Sequence, residues 1–523
     1  MPLLFSPLPF NPDGFALANV AGQISSTGMW RINGTGVIEN IQQMPIYPLL
    51  WSIVAQLGGL DVLANLQGIM PLVTATVVLP AYLLAVKATR SRVAGFAAGL
   101  FVAVFGSFLF LTSAAMRESI GLVLFPVIVL LYSERSDPRK RALAALLLLL
   151  LPFLHHLTTL LTLGMVSALL VLGQSRSIAR GTFSLRRLAL DILTGPVLAV
   201  VAWAWYSAVR EVDVDEITAA DAVVLLLGIV VLLTALLAPR VRPARVRPGR
   251  RLVSPAGRVL LVPALAFAAL WVNGRTSVFV GVVGTQGDLV AMFPAIAILV
   301  GFAIMGYQLL RRTTNRGNDL VLAMFVAPIA LILLAFLRGL DPFSQMVVYR
   351  SFDFVDYGLG VLAGIGLAAV WSRVRPSKAA RLALGATFVV ALLATTPMAW
   401  NSQAVFGVNE VTTPAEFHAL SVLASLHPKH VTTDQRLALV LGNWFGYNAS
   451  STLPFRLQND ERVTGYDYAI VADSWTTVGA QVFPAPNVVL SRDVLASFLQ
   501  QNRVVYAGGS GDNRVYVVQL TGS

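Results

Sequence analysis

Twelve apolar segments run through this chain of 523 residues, and 25 of its 38 Lys and Arg fall in every second loop between them. A helix needs about 20 apolar residues to cross a bilayer, and loops left in the cytoplasm retain Lys and Arg. The pattern therefore predicts an all-α polytopic membrane domain, and it sorts the loops into two sets on opposite sides. The basic set is 87–92, 135–141, 176–187, 240–258, 311–316 and 373–381. The other set holds only Arg31, Arg117, Arg210, Arg275, Arg338 and Arg350, and the remaining seven basic residues follow Trp400. Composition agrees, because hydrophobic residues make up 56% of the chain, above the ~45–50% of soluble domains.

The predicted spans are 66–87, 93–112, 119–132, 141–155, 157–173, 188–208, 221–238, 258–273, 289–310, 319–337, 352–371 and 381–400. The third and fourth are short for a bilayer and must draw on their flanks. Residues 1–65 read as an external loop, with surface helices from Phe15 to Ile24 and from Tyr47 to Leu57 between Gly and Pro breaks. Residues 66–400 form the transmembrane domain. After Trp400 the apolar runs shorten. Helices are predicted from Pro414 to Leu426, Gln435 to Trp444 and Ser491 to Gln501, and short buried strands from Tyr466 to Val471, Val504 to Ala507 and Val515 to Leu520. Residues 401–523 thus read as a small α/β domain. An even number of spans between an outside start and an outside end makes this domain extracytoplasmic, on the same side of the cytoplasmic membrane as Asp13.

The net charge of +12 is accounted for by the loops that stay inside, so nucleic acid is not an expected partner. The lipid bilayer is one, and the Arg240 to Arg258 run would be drawn to anionic headgroups. With no cysteine, disulfides and thiolate metal sites are excluded. Met1 to Phe10 is short, Pro-rich and without a charged start, so no cleavable signal peptide is read there. No Gly-rich phosphate loop, zinc signature or nucleophile elbow occurs, and ATP hydrolysis is not expected.

Ionisable residues in the less basic set of loops are the candidates for chemistry. Asp213, Asp215 and Glu216 read as a solvated acidic turn. Asp13, in Asn11-Pro12-Asp13-Gly14-Phe15, is either a helix N-cap or a general base or metal-binding carboxylate at the membrane surface. Arg117 and Glu118 either mark the interface at the start of the third span or face the same cavity as Asp13, with the guanidinium meeting a phosphate. His155 and His156 form a polar turn at headgroup level, or bind phosphate or carry a proton. A metal site would need more ligands than the sequence locates. Arg275, Arg338 and Arg350 stand near spans with Asp341, Asp353 and Asp356, where charges line polar cavities or pair. Arg350 and Asp353, at i and i+3, are placed to pair; alternatively the Arg350 fork captures phosphate.

Together these stretches resemble the GT-C class of integral-membrane glycosyltransferases, which includes oligosaccharyltransferase subunits, protein mannosyltransferases and arabinosyltransferases. Asn11-Pro12-Asp13-Gly14-Phe15 looks like the acidic motif that opens the family's long external loop. Pro45-Ile46-Tyr47-Pro48-Leu49-Leu50 looks like that loop's Pro/Tyr-rich end. Glu118 falls where some members carry a second acid, and Arg350 falls in a late loop that contacts lipid phosphate. The resemblance implies sugar transfer from a polyprenyl-phosphate-linked donor to an extracytoplasmic acceptor of the cell envelope. Asp13 would act as base, or hold the acceptor through a divalent metal ion, Mg or Mn, with Glu118 as a second catalytic acid. Arg350, with Arg117 or Arg275, would stabilise the departing phosphate.

Two departures accompany the resemblance. The chain begins where the family's first span should have ended, so a preceding helix is expected, and restoring it would make thirteen spans. The tail has Asn443-Trp444-Phe445-Gly446-Tyr447 where oligosaccharyltransferases carry Trp-Trp-Asp-Tyr-Gly, and 274–288 has no glutamate; that subfamily is declined. A transporter or flippase for a lipid-linked or anionic solute is the alternative, although no internal repeat of the kind common in transporters is visible. A non-catalytic scaffold for envelope assembly is a third reading.

Overall fold

The computed structural model describes residues 6–202, 204, 286–311, 316–339, 342–374, 377–400, 411–482 and 487–521. The predicted spans 221–238 and 258–273, the end of 188–208, the 213–216 acidic turn, Arg210, Arg275 and Asp341 lie outside the described residues.

Three helices fill the first sixty residues where two were expected: α1 (Pro12–Thr27), α2 (Gly36–Gln43) and α3 (Ile46–Gly58). Then follow α4 (Leu66–Thr89), α5 (Arg92–Val104), α6 (Gly106–Ser113), α7 (Arg117–Ser133), α8 (Pro138–Leu150), α9 (His156–Ala179) and α10 (Leu185–Ile192). Beyond residue 285 come α11 (Gln286–Arg311), α12 (Arg316–Leu337), α13 (Pro342–Arg373) and α14 (Lys378–Thr395). Among the described residues six helices are long and apolar enough to cross a membrane, in α4, α9 and α11 to α14. The pair α5 and α6, bent by 64° at Phe105, makes a seventh span if taken as one. The chain is therefore a multi-pass membrane protein. The predicted third and fourth spans appear as α7 and α8, which at 1.5 Å per residue reach only about 26 and 20 Å, short of the ~30 Å hydrocarbon core.

The central helix is α13, which packs on α5, α11 and α12. Small residues set its approach: a Cβ at Gly366 would lie 1.9 Å from the Phe302 carbonyl of α11, so only glycine allows the two backbones to touch. Its first half is held to α7 by Phe125, whose ring stands 4.8 Å from Phe354 and 5.1 Å from Tyr357.

Among the described residues two groups of charged side chains lie at opposite ends of α7 and α9. Glu118, His155 and Arg350 meet where α7 and α9 begin and near the start of α13. At the far ends of the same helices Glu134 pairs with Lys87 and Lys140, Asp191 with Arg135 and Arg141, and Asp319 with Arg176.

The tail is a five-stranded mixed sheet with helices. Strands β1 (Val431–Thr432), β2 (Ala449–Ser450), β3 (Tyr468–Ala472), β4 (Arg503–Gly508) and β5 (Val515–Gln519) are ordered β2-β1-β3-β5-β4. The parallel pairs are β1 with β2 and with β3; β5 runs antiparallel to both β3 and β4. β1 and β2 were not predicted, because two residues show no alternation to read. Helices α15 (Pro414–Ser425), α16 (Gln435–Val440), α17 (Leu453–Gln458) and α18 (Arg492–Gln501) complete the domain, α17 also unforeseen.

Candidate functional site

The site is assembled around the start of α7. In its first turn Ser119 donates its hydroxyl to the carbonyls of Leu111 at 2.7 Å and Ala114 at 2.6 Å, closing the turn from α6 that leads into Arg117 and Glu118. Gln67, wholly buried near the start of α4, accepts from the Phe10 amide at 2.7 Å and donates to the Ser113 carbonyl at 2.8 Å. That one side chain ties the entry of α1 to the exit of α6. Gly14 then allows α1 to close on the loop: a Cβ there would meet Pro9 at 2.6 Å and the Ala115 carbonyl at 3.3 Å. Asp13 is thereby brought beside the start of α7, where its charge acts on Glu118.

The two readings of Asp13 now separate. Asn11 caps α1, its side chain accepting from the Asp13 amide at 2.8 Å. Asp13 is the second helical residue and half-buried, so its carboxylate is not the cap.

Glu118 is 2% exposed, and its Oε2 lies 3.4 Å from Nε of Arg350. The guanidinium also reaches His155, with Nη1 3.5 Å from Nε2. His155 caps α9 from its other nitrogen, which lies 2.8 Å from the Thr158 hydroxyl. Gly121, one turn beyond Glu118, permits this, because a Cβ there would stand 2.5 Å from the Thr158 hydroxyl oxygen. The pairing of Arg350 with Asp353, expected from their spacing, is corrected. Arg350 turns from its own helix to α7, where a buried carboxylate needs a cation, while its charge still acts on Asp353. Asp353 is itself buried, and its Oδ2 has no hydrogen-bond partner among the described residues.

The other candidates are placed as follows. Arg117 turns to the end of α2, donating to the Asn40 carbonyl at 3.0 Å and to its side chain at 2.7 Å, yet its charge acts on Glu118. The His155 and His156 rings lie 5.2 Å apart; His156 is the first residue of α9 and exposed. Among the described residues no three His, Asp or Glu side chains gather as a metal site.

Asn443 was missed as a site residue. It is 4% exposed, donates to the Pro12 carbonyl at 3.2 Å, and its own carbonyl accepts from Asn19 at 2.8 Å. The Phe15 and Phe417 rings stack beside it at 5.7 Å. The tail domain thus grips α1 at the residue preceding Asp13. A buried Asn in an apolar run was the available signal, as was Gln67 in an apolar span, since buried polar groups find partners.

Glu118, Arg350, His155 and Asp13 come from four separate parts of the chain, and the arrangement can hold an anion. Arg350 is partly exposed and oriented from behind by a carboxylate, with a half-exposed carboxylate, Asp13, nearby. No protein-family profile and no curated protein matches the chain. Among solved structures it is similar to ArnT from Cupriavidus metallidurans: the apo form is 11% identical with a TM-score of 0.47, and the form bound to undecaprenyl phosphate is 12% identical with a TM-score of 0.41, each covering 99% of this chain and 95% of that chain.

Proposed function

We propose that the chain is a GT-C-type membrane glycosyltransferase that moves a sugar from a polyprenyl-phosphate-linked donor to an extracytoplasmic acceptor. The observation that carries the reading is the meeting of Glu118 and Arg350 at 3.4 Å beside the turn on which Gly14, next to Asp13, packs. Glu118, Arg350 and Asp13 were singled out in the sequence for this chemistry. Asp13 takes the proton of the acceptor hydroxyl as that oxygen bonds to the anomeric carbon. The bond from that carbon to the phosphate oxygen breaks, and its electron pair leaves on the phosphate. Arg350 offsets the charge developing there, as pre-organised cations do. Glu118 and His155 hold the guanidinium in place, and the tail domain steadies α1.

The test is transfer of radiolabelled sugar from polyprenyl-phosphate donors in membranes containing the chain or its Asp13→Asn variant, each with and without EDTA. Activity that survives Asp13→Asn unchanged removes Asp13 as base; loss on chelation alone marks a metal-held acceptor. The 64° break between α5 and α6 favours one second reading, a transporter or flippase, because broken helices line transport sites. Movement of a lipid-linked substrate between leaflets with no sugar transfer would establish it.

A further inference from the structure

The end of the molecule away from this site carries a pocket that the proposed transfer does not use. It has a volume of about 160 Å³ and lies between the start of the α7–α8 connection, the last turns of α9 and the first turn of α10. Arg135, Arg176, Arg180 and Arg187 line it, with the hydroxyls of Ser136 and Ser184. At its edge Asp191, 1% exposed, accepts from Nε of Arg135 at 2.8 Å and from Nη2 of Arg141 at 3.1 Å. Asp319, equally buried, holds Arg176 at 2.5 Å. Two buried carboxylates thus fix three guanidinium groups, while Arg180 and Arg187 add their charges from exposed positions. The pocket is net positive, and two of its four arginines, Arg135 and Arg176, are pre-positioned by carboxylates.

Guanidinium forks and hydroxyl donors match the oxygens of a phosphate. The start of α10, where Ser184 caps the Arg187 amide, adds the positive end of a helix dipole. The segment that supplies the lining points to the source of that phosphate: Ile178, Phe183 and Leu185, next in sequence to the lining residues Ser177, Thr182 and Ser184, are 63%, 46% and 70% exposed. A cationic pocket on a segment that also exposes bare apolar side chains fits a molecule that is charged at one end and hydrocarbon at the other. These residues belong to the basic loop set, which the charge alternation assigns to the leaflet where basic pockets between helices meet anionic lipids.

We propose that this pocket binds the phosphate of an anionic phospholipid headgroup. The test uses the full chain in zwitterionic detergent and measures equilibrium binding of fluorescent phosphatidylglycerol, with phosphatidylcholine and inorganic phosphate as competitors. Arg180→Gln with Arg187→Gln should weaken phosphatidylglycerol binding by about 30-fold with the thermal unfolding of the chain unchanged. Arg92→Gln, an exposed arginine of the same end outside the pocket, should change it less than about twofold. Equal weakening by Arg92→Gln, or no weakening by the pair, would overturn the site in favour of diffuse surface charge. Displacement of the lipid by inorganic phosphate but not by phosphatidylcholine supports headgroup recognition; equal displacement by phosphatidylcholine overturns it.

Discussion

Arg350 Nε lies 3.4 Å from the Glu118 carboxylate, joining α13 to α7 at the end of the molecule that gathers Asp13 and His155. Arg350→Ala is expected to lower kcat for sugar transfer by about 10²–10³-fold, the loss seen when a pre-organised donor is removed. Arg350→Lys should recover part of it, because an ammonium keeps the charge and loses the fork. Equal activity in wild type and Arg350→Ala would separate this pair from the chemistry.

Glycine at position 121 keeps the Thr158 hydroxyl, and through it His155, beside Glu118. Gly121→Ala introduces a Cβ 2.5 Å from the Thr158 hydroxyl oxygen, and overpacking of this kind costs about 1–3 kcal/mol. The expected outcome is a lower thermal midpoint together with reduced transfer. Thr158→Ala in the same chain should remove the two closest contacts, leaving its Cβ at 3.1 Å, and recover part of the midpoint but not the His155 contact.

Asn443 links the tail domain to α1 through the Pro12 carbonyl. Asn443→Ala leaves that contact unmade, and each orphaned buried group costs about 1–3 kcal/mol. Hydrogen exchange should quicken in α1 and in 441–447 while β3 and β5 keep their protection. Unchanged exchange in α1 would show that the Phe15–Phe417 stack holds the domains without it.

The tail domain should lose stability in acid. Burial would raise the Glu416 carboxyl, but Arg436, hydrogen-bonded to it at 2.8 and 2.5 Å, and Thr413 hold it below the usual carboxylate range. The folded state therefore binds fewer protons at Glu416 than the unfolded state. The stability this contributes is complete above the ordinary glutamate value and is lost as pH falls through the lowered one. Burial pushes Asp434 the other way, which offsets part of the effect. Hydrogen exchange of 411–482 across this range measures it, and Glu416→Gln should flatten the Glu416 contribution while leaving Arg436, 1% exposed, with only the more distant Asp434, 4.0 Å away, as a charged partner. Breaking a buried pair in this way costs about 3–5 kcal/mol.

Among the described residues, that charged side chains gather at two ends of the helices was legible in the chain, because Lys and Arg alternate along it and helix length is bound to bilayer thickness. Apolar length likewise located most of the described helices and the tail's longer strands. The partners of the charges were not legible. Arg350 meets Glu118 and His155 because Gly366, Gly14 and Gly121 let backbones approach and Phe125 locks α7 to α13, contacts between residues far apart in sequence. The same holds for Asp13, whose capping role passed to Asn11. A local pattern dictates the path of a segment through a bilayer; which side chains then face one another is decided by how the segments pack.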